Sequence, residues 1–259
     1  MVVNNMGKTK KEHFVPKMYL KRFTYDGNMC YTKNKKGEIH KQNIRDICKW
    51  ENGYEFRNET GNIIYENWAE KHFSQAERYC DIWLSNLLKH FDTFASTSHI
   101  KYFNEISRKD IFSFYAFLLL RHPIVINNTD HFLKNFGINA QKHQARNTGI
   151  MNCFDTLEEF AAWMDEHYNI VIHKNLTDIP FIASDTPFCS LKLKDEQEQP
   201  FLYMPLSQKY FLICTPRCVT GKMEDVLIHD INLNIQFLNE LFSYKDCMKV
   251  SISSVKETL

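Results

Sequence analysis

Glycine and proline are scarce in this chain, with eight and seven among 259 residues. That leaves little material for flexible linkers or low-complexity tracts, and no internal repeat is visible. Long apolar runs are missing too. Nothing reaches the ~18 residues that a membrane-spanning helix needs, and the polar first twelve residues do not read as a signal peptide. Net charge is almost absent at +1, so no global field calls for nucleic acid or anionic lipid. The eight cysteines (30, 48, 80, 153, 189, 214, 218 and 247) include no C-x-x-C pair, which argues against a zinc ribbon or a disulfide framework. Reduced thiols and a cytoplasmic location follow as the expectation. G-x-G-x-x-G, G-x-x-x-x-G-K-[ST], H-E-x-x-H and G-x-S-x-G do not occur. The eleven histidines form no recognisable ligand pair on a helix face.

What the chain does have is apolar bulk and an uneven charge. At 44% hydrophobic it can bury the core of one large domain. Residues 1–49 hold 12 Lys and Arg against 4 Asp and Glu, a net of +8, which leaves −7 for the remainder. A basic amino-terminal segment on an acidic body either contacts phosphate or docks on that body. The partners expected are nucleic acid through this segment, a protein partner or a second copy of the chain, and no membrane.

Residues 1–12 read as a disordered basic leader and 13–259 as a single α+β domain, with a helical block over about 65–167. Pro16 suits the first turn of a short helix to Phe23. Met29–Lys33 and Glu38–Asn43 read as a hairpin around Lys36-Gly37. In ENWAEKHFSQAERYCDIWLSNLLKHF, Phe73, Cys80, Leu84, Leu87 and Phe91 recur at helical spacing. Arg108 to about Arg121 is apolar nearly all round, which marks a helix buried on most sides, and Pro123 ends or kinks it. A third helix is expected over about 128–146 and a fourth from Asp155 or Thr156. Short β-rich runs follow (YNIVIH, PFIAS, FCSLKL, PFLYMPL, KYFLICT), then a last helix near Ile228–Phe242 and an end strand in CMKVSIS. The expectation is one mixed or antiparallel sheet built from strands of both termini, with the helical block on one side.

Polar residues in apolar surroundings are the candidates for chemistry. The stripe of the long helix continues backwards through Glu70 and Glu66, and Glu77 lies on the same line. A carboxylate on a packing face must be paired, hydrogen-bonded, metal-bound or protonated, because desolvating it is costly. Glu70 and Glu77 stand two turns apart, about 10.5 Å along the axis, too far to share one metal directly but near enough to line one cavity. The alternative is that each pairs with an arginine. Arg121 is the natural partner, since its stem follows an apolar run and its guanidinium then needs a carboxylate or helix-end carbonyls. His122 reads as a cap or surface residue. In PFIASDTPF, Asp185 ends a β-type run, as a metal ligand or base, or as an Asx-turn acceptor for the Thr186 amide or the one beyond Pro187. Asn232, Asn234 and Asn239 read as solvent-exposed. In HFVPKMYLKRF, Val15, Met18, Tyr19 and Phe23 supply a packing face while Lys17, Lys21 and Arg22 keep to the rim. His13 sits just ahead of the helix and is expected near Glu77 and Asp185.

In their order along the chain, HFVPKMYLKRF, AEKHFSQAERY, LLLRHP, FIASDTPF, YMPLSQKYFLI and LNIQFLNELF resemble a bacterial domain-of-unknown-function family. Its members open with H-x-V-P-x-x-Y-L-x-x-F and later carry an S-D-x-P segment. The resemblance spans about residues 13–247 and places the family's polar positions on His13, Pro16, Tyr19, Phe23, Glu70, Glu77, Arg121, Ser184, Asp185 and Asn232. His122 departs from the small polar residue usual after the helix-ending arginine. The resemblance implies a pattern and no reaction.

Two functions fit these residues. One is a metal-dependent phosphodiester hydrolase, nuclease-like and at work in bacterial conflict or defence. There Glu70, Glu77 and Asp185 hold Mg²⁺ or Mn²⁺, and His13, Glu77 and Asp185 are catalytic. Arg121, Lys17, Lys21, Arg22, Tyr19, Ser184 and Asn232 bind substrate. The other is a binding or sensor module without chemistry, in which the same polar set is a structural ion-pair network.

Overall fold

The computed structural model describes residues 11–94, 98–100, 108–192, 198–223, 226–231, 235, 238–239 and 250–259. Short alternating runs near the amino terminus form β1 (Lys11–His13), β2 (Met29–Asn34), β3 (Ile39–Asn43), β4 (Lys49–Glu51), β5 (Phe56–Arg57) and β6 (Ile63–Tyr65). A short helix, α1 (Lys17–Leu20), starts behind Pro16. The periodic middle of the chain forms α2 (Trp68–Asp92), α3 (Arg108–Leu120), α4 (Pro123–Asn135), α5 (Lys142–Asp155) and α6 (Leu157–His167), with β7 (Ser98–Ile100) between α2 and α3. Then follow β8 (Tyr168–Asn175), β9 (Ala183–Ser184), β10 (Cys189–Leu191), β11 (Phe201–Pro205), β12 (Tyr210–Pro216), α7 (Arg217–Thr220), β13 (Val226–Ile231) and β14 (Val250–Ser253). Strands gather towards both ends with helices between them, an α+β fold.

The termini do share a sheet, though not a single one. The antiparallel sheet β3-β2-β14-β9 sets Ile252 opposite Thr32 on one side and Ala183 on the other. A second sheet, β10-β11-β12-β8-β13-β7, is antiparallel except where β13 runs parallel to β8. This corrects the expected single sheet. It also corrects the start of the expected last helix, because residues 226–231 are a strand; 235, 238 and 239, the described residues in the rest of that range, are helical. VLIHDI is a β-branched run, and its register puts Ile228 beside Ile172, both wholly buried. Burial on a covered sheet outweighs helical spacing there.

Pro123 ends α3 and opens α4, where its missing N–H is not needed, and His122 is the cap. The expected third helix therefore divides into α4 and α5. Those two helices meet at Gly149, where a Cβ would lie 2.6 Å from Thr129 Oγ1 and 3.0 Å from the Ile126 carbonyl. Seven of the thirteen residues of α3 are buried, so this helix is the axis of the main core. Of the expected leader, residues 1–10 lie outside the described residues. Lys11 and Glu12 belong to β1, antiparallel to β4 with Glu12 opposite Trp50.

Candidate functional site

The apolar interior of α3 carries the stem of Arg121 inward, and the helix ends before the chain can turn it back to water. Its side chain has no exposed surface. The guanidinium lies 4.4 Å from the Phe73 ring centre, 4.9 Å from Phe117 and 5.7 Å from Tyr54. A cation in that cage needs charged or dipolar acceptors. Nη1 donates to Glu77 Oε1 at 2.7 Å and Nη2 to the His13 carbonyl at 2.7 Å. The Tyr54 hydroxyl donates to the Arg121 carbonyl at 2.8 Å. Burial disfavours the cation, but Tyr54 and Glu77 more than offset it, so the guanidinium holds its proton more tightly than usual.

Three elements thus meet at one residue: α2 through Glu77, α3 through Arg121 and β1 through His13. The His13 imidazole turns away from this junction. Its Nε2 donates to the Ile44 carbonyl at 3.1 Å, which leaves Nδ1 as the acceptor nitrogen. Burial, with Lys17, Lys49 and Arg121 acting in the same sense, pushes its pKa down to about 4. The ring is neutral at pH 7. Glu70, one turn of α2 ahead of the buried Phe73, is half-buried. Burial raises its carboxyl above the ordinary value and Glu77 adds to this, while Arg121 and the exposed Lys17 pull it back.

Two carboxylates of this neighbourhood escaped the sequence reading. Glu12 is 1% exposed, and its Oε2 accepts the Gly53 amide at 2.6 Å and the Tyr54 amide at 3.4 Å. Its Oε1 is buried without a partner, and burial raises the pKa to about 7, with Glu70 and Glu55 adding to the rise. Nothing in the polar run before His13 distinguishes it from a solvated charge. Glu55 is wholly buried and both its oxygens face the Asn67 amide, at 3.3 and 3.2 Å, where α2 begins. A lone glutamate among Tyr54 and Phe56 was a legible signal.

Asp185 belongs to a different junction. Its Oδ1 accepts the Val250 amide at 3.2 Å, its own amide donates to the Val250 carbonyl, and its carbonyl accepts His122 Nε2 at 2.9 Å. Ser184 Oγ takes the Thr186 amide, at 3.0 Å, which makes a serine turn there. His122 Nδ1 accepts the Ile124 amide at 3.3 Å, and the ring sits edge-on between Phe14 and Phe188. His122 is therefore a buried cap that ties the chain beside His13 to the chain beside Asp185. The carboxylates of Glu77 and Asp185 themselves point to different partners.

The expected ligand set of Glu70, Glu77 and Asp185 is not assembled. Among the described residues, no three His, Cys, Asp or Glu side chains stand together to hold a metal ion. The expected substrate surface also divides. Tyr19 is wholly buried with its hydroxyl donating to the Pro205 carbonyl at 2.6 Å, so it is a core residue. Arg22 Nη2 donates to Asp81 Oδ1 and Ser85 Oγ, both at 3.0 Å, which fastens the segment to α2. Lys17 and Lys21 are exposed. Asn232 and Asn234 lie outside the described residues. Asn239 is buried, against the expected exposure, because it clamps the chain before β9. It accepts the Ile182 amide at 3.1 Å and donates to the Pro180 carbonyl at 2.9 Å.

Fold and site together define an α+β protein organised round a buried arginine–carboxylate network, with no helix among the described residues long and apolar enough to cross a membrane. Over residues 11–241 the chain matches the family model described as "Protein of unknown function (DUF4238)", and it belongs to that family. No curated protein and no solved structure matches it.

Proposed function

We propose that the protein is a binding or sensor module in which the Arg121 network seats the amino-terminal segment on the helical block. The observation that carries this reading is the state of Arg121: wholly buried, caged by rings, with both terminal nitrogens engaged by Glu77 and the His13 carbonyl. An arginine that binds phosphate presents its fork to an open surface. This one holds three elements together. The open rim beside it, with Lys17, Glu70 and the partly exposed Glu77, is where a partner would meet the seated segment. A cytoplasmic role in bacterial conflict or defence belongs to the same proposal. The test is Arg121→Ala, measured for melting temperature and for degradation of RNA and DNA. Lower stability with no change of rate supports the module. Full stability overturns it.

The hydrolase remains the second reading, and one observation favours it. Glu70 is a half-buried acid held above its usual pKa beside an exposed lysine, the setting in which general acids are tuned. It predicts degradation of RNA or DNA by the purified protein with Mg²⁺ or Mn²⁺. Degradation undiminished in the His13→Ala, Glu77→Gln double variant removes these residues from any such chemistry. Simple phosphate contact through residues 8–22 separates from both, since its affinity falls steeply with salt.

A further inference from the structure

Strand β1 has little to hold it. It is three residues long and, among the described residues, pairs only with β4, in a two-stranded sheet. Beyond that ladder, its seat consists of the Arg121 bond to the His13 carbonyl and the side chains of its last two residues. Those two side chains leave the strand on opposite faces, and each is ionisable. Glu12 enters the turn after β4, where Asn52 holds a φ of +47° and a Cβ on Gly53 would lie 2.3 Å from the Trp50 ring. That fixed turn presents the Gly53 and Tyr54 amides to Glu12 Oε2 and gives Oε1 nothing.

The groups facing Glu12 from the packed elements are Glu55 and Tyr54 from the chain after β4, Glu70 from α2 and Arg146 from α5. Arg146 does not reach the carboxyl, because its Nη2 donates to the Asn52 and Gly53 carbonyls, each at 2.7 Å. Arg57 stands beside Arg146. A charged Glu12 would therefore hold an orphaned oxygen among two further carboxylates. The neutral acid, with its proton on Oε1, leaves only an uncharged hydroxyl unpaired, which costs far less. On the other face, the His13 imidazole donates to the Ile44 carbonyl and feels the positive charges of Lys17, Lys49 and Arg121. A second proton on Nδ1 would add a cation to three.

We propose that Glu12 and His13 are a compensating pair: seating β1 puts a proton on Glu12 Oε1 and takes one from His13 Nδ1, both exchanged with solvent, so the strand docks with neither side chain charged. This rests on the seating reading above. The signs follow from each group alone. Glu12 rises from an ordinary 4.5 to about 7 on seating, so its contribution is complete below 4.5 and is lost as pH rises to 7. His13 falls from 6.5 to about 4, so its contribution is complete above 6.5 and is lost as pH falls to 4. Between about 4.5 and 6.5 the two slopes oppose each other, and the seat is insensitive to pH.

The test is urea unfolding across that window with the full chain, its Glu12→Gln variant and its His13→Gln variant. Both glutamines keep the hydrogen-bonding shape of the neutral side chain. In Glu12→Gln, the folding constant is expected to fall about tenfold for each pH unit of acidification between 6.5 and 4.5, and in His13→Gln to rise by a similar factor. The difference between the two slopes isolates the pair from other titrating groups. Variants with parallel pH profiles overturn the proposal. Should either variant fail to fold, ¹³C NMR titration of the Glu12 carboxyl in the wild type decides. A midpoint near 7 supports the pair, and an ordinary glutamate midpoint overturns it. The seating reading fails separately, if Arg121→Ala leaves stability unchanged at every pH.

Discussion

Arg121 is a residue whose surroundings decide its role. Buried among Tyr54, Phe73 and Phe117, it retains its charge because Glu77 and the His13 carbonyl replace the water it has lost. Breaking a buried pair from one side leaves the other half uncompensated, at roughly 3–5 kcal/mol. Glu77 is a quarter exposed, so water relieves part of its loss. Arg121→Met is accordingly expected to be less destabilising than Glu77→Met, which strands the wholly buried cation. Urea midpoints of the two variants check the order. The need of Arg121 for a partner was legible, since a guanidinium after an apolar run has to find a carboxylate or helix-end carbonyls, and here it finds Glu77. Its partner Glu77 was legible as well, as a carboxylate on a packing stripe. Glu12 was not, because its burial depends on the turn at Asn52–Gly53, forty residues away. The direction of the His13 ring was equally hidden, being fixed by the Ile44 carbonyl just past β3, thirty-one residues away.

At the scale of elements, α2, α3 and the β2–β3 hairpin were legible, and the partners of the β8–β13 sheet were not. The stripe of α2 and the apolar girth of α3 are local patterns that a window of sequence contains. The parallel pairing of β13 with β8 is set by residues more than fifty positions apart, and the same VLIHDI run fits a helix until its neighbour is known. Two element contacts give direct checks. Gly149→Ala at the α4–α5 crossing forces a methyl onto Thr129 and the Ile126 carbonyl. It is expected to cost about 1–3 kcal/mol, typical of overpacking, and Thr129→Ala in the same chain should recover part of it. Asn239→Ala removes the acceptor of the Ile182 amide and the donor to the Pro180 carbonyl. Leaving those buried groups unmatched should cost about 1–3 kcal/mol, read as a lower urea midpoint with an unchanged slope.

For the whole molecule, the basic amino-terminal segment and the acidic body foreseen from the charge distribution meet through specific contacts. Arg22 reaches Asp81 and Ser85 on α2, Arg121 reaches His13, and His122 joins Phe14 to the chain at Asp185. The segment is a packed part of the core, with Val15, Tyr19, Leu20 and Phe23 wholly buried. The central claim is that the Arg121 network seats it. Hydrogen exchange of the wild type and Arg121→Met tests this most directly. The prediction is that residues 11–14 lose protection in the variant while residues 111–118 of α3 keep theirs. Unchanged protection of residues 11–14 would contradict it.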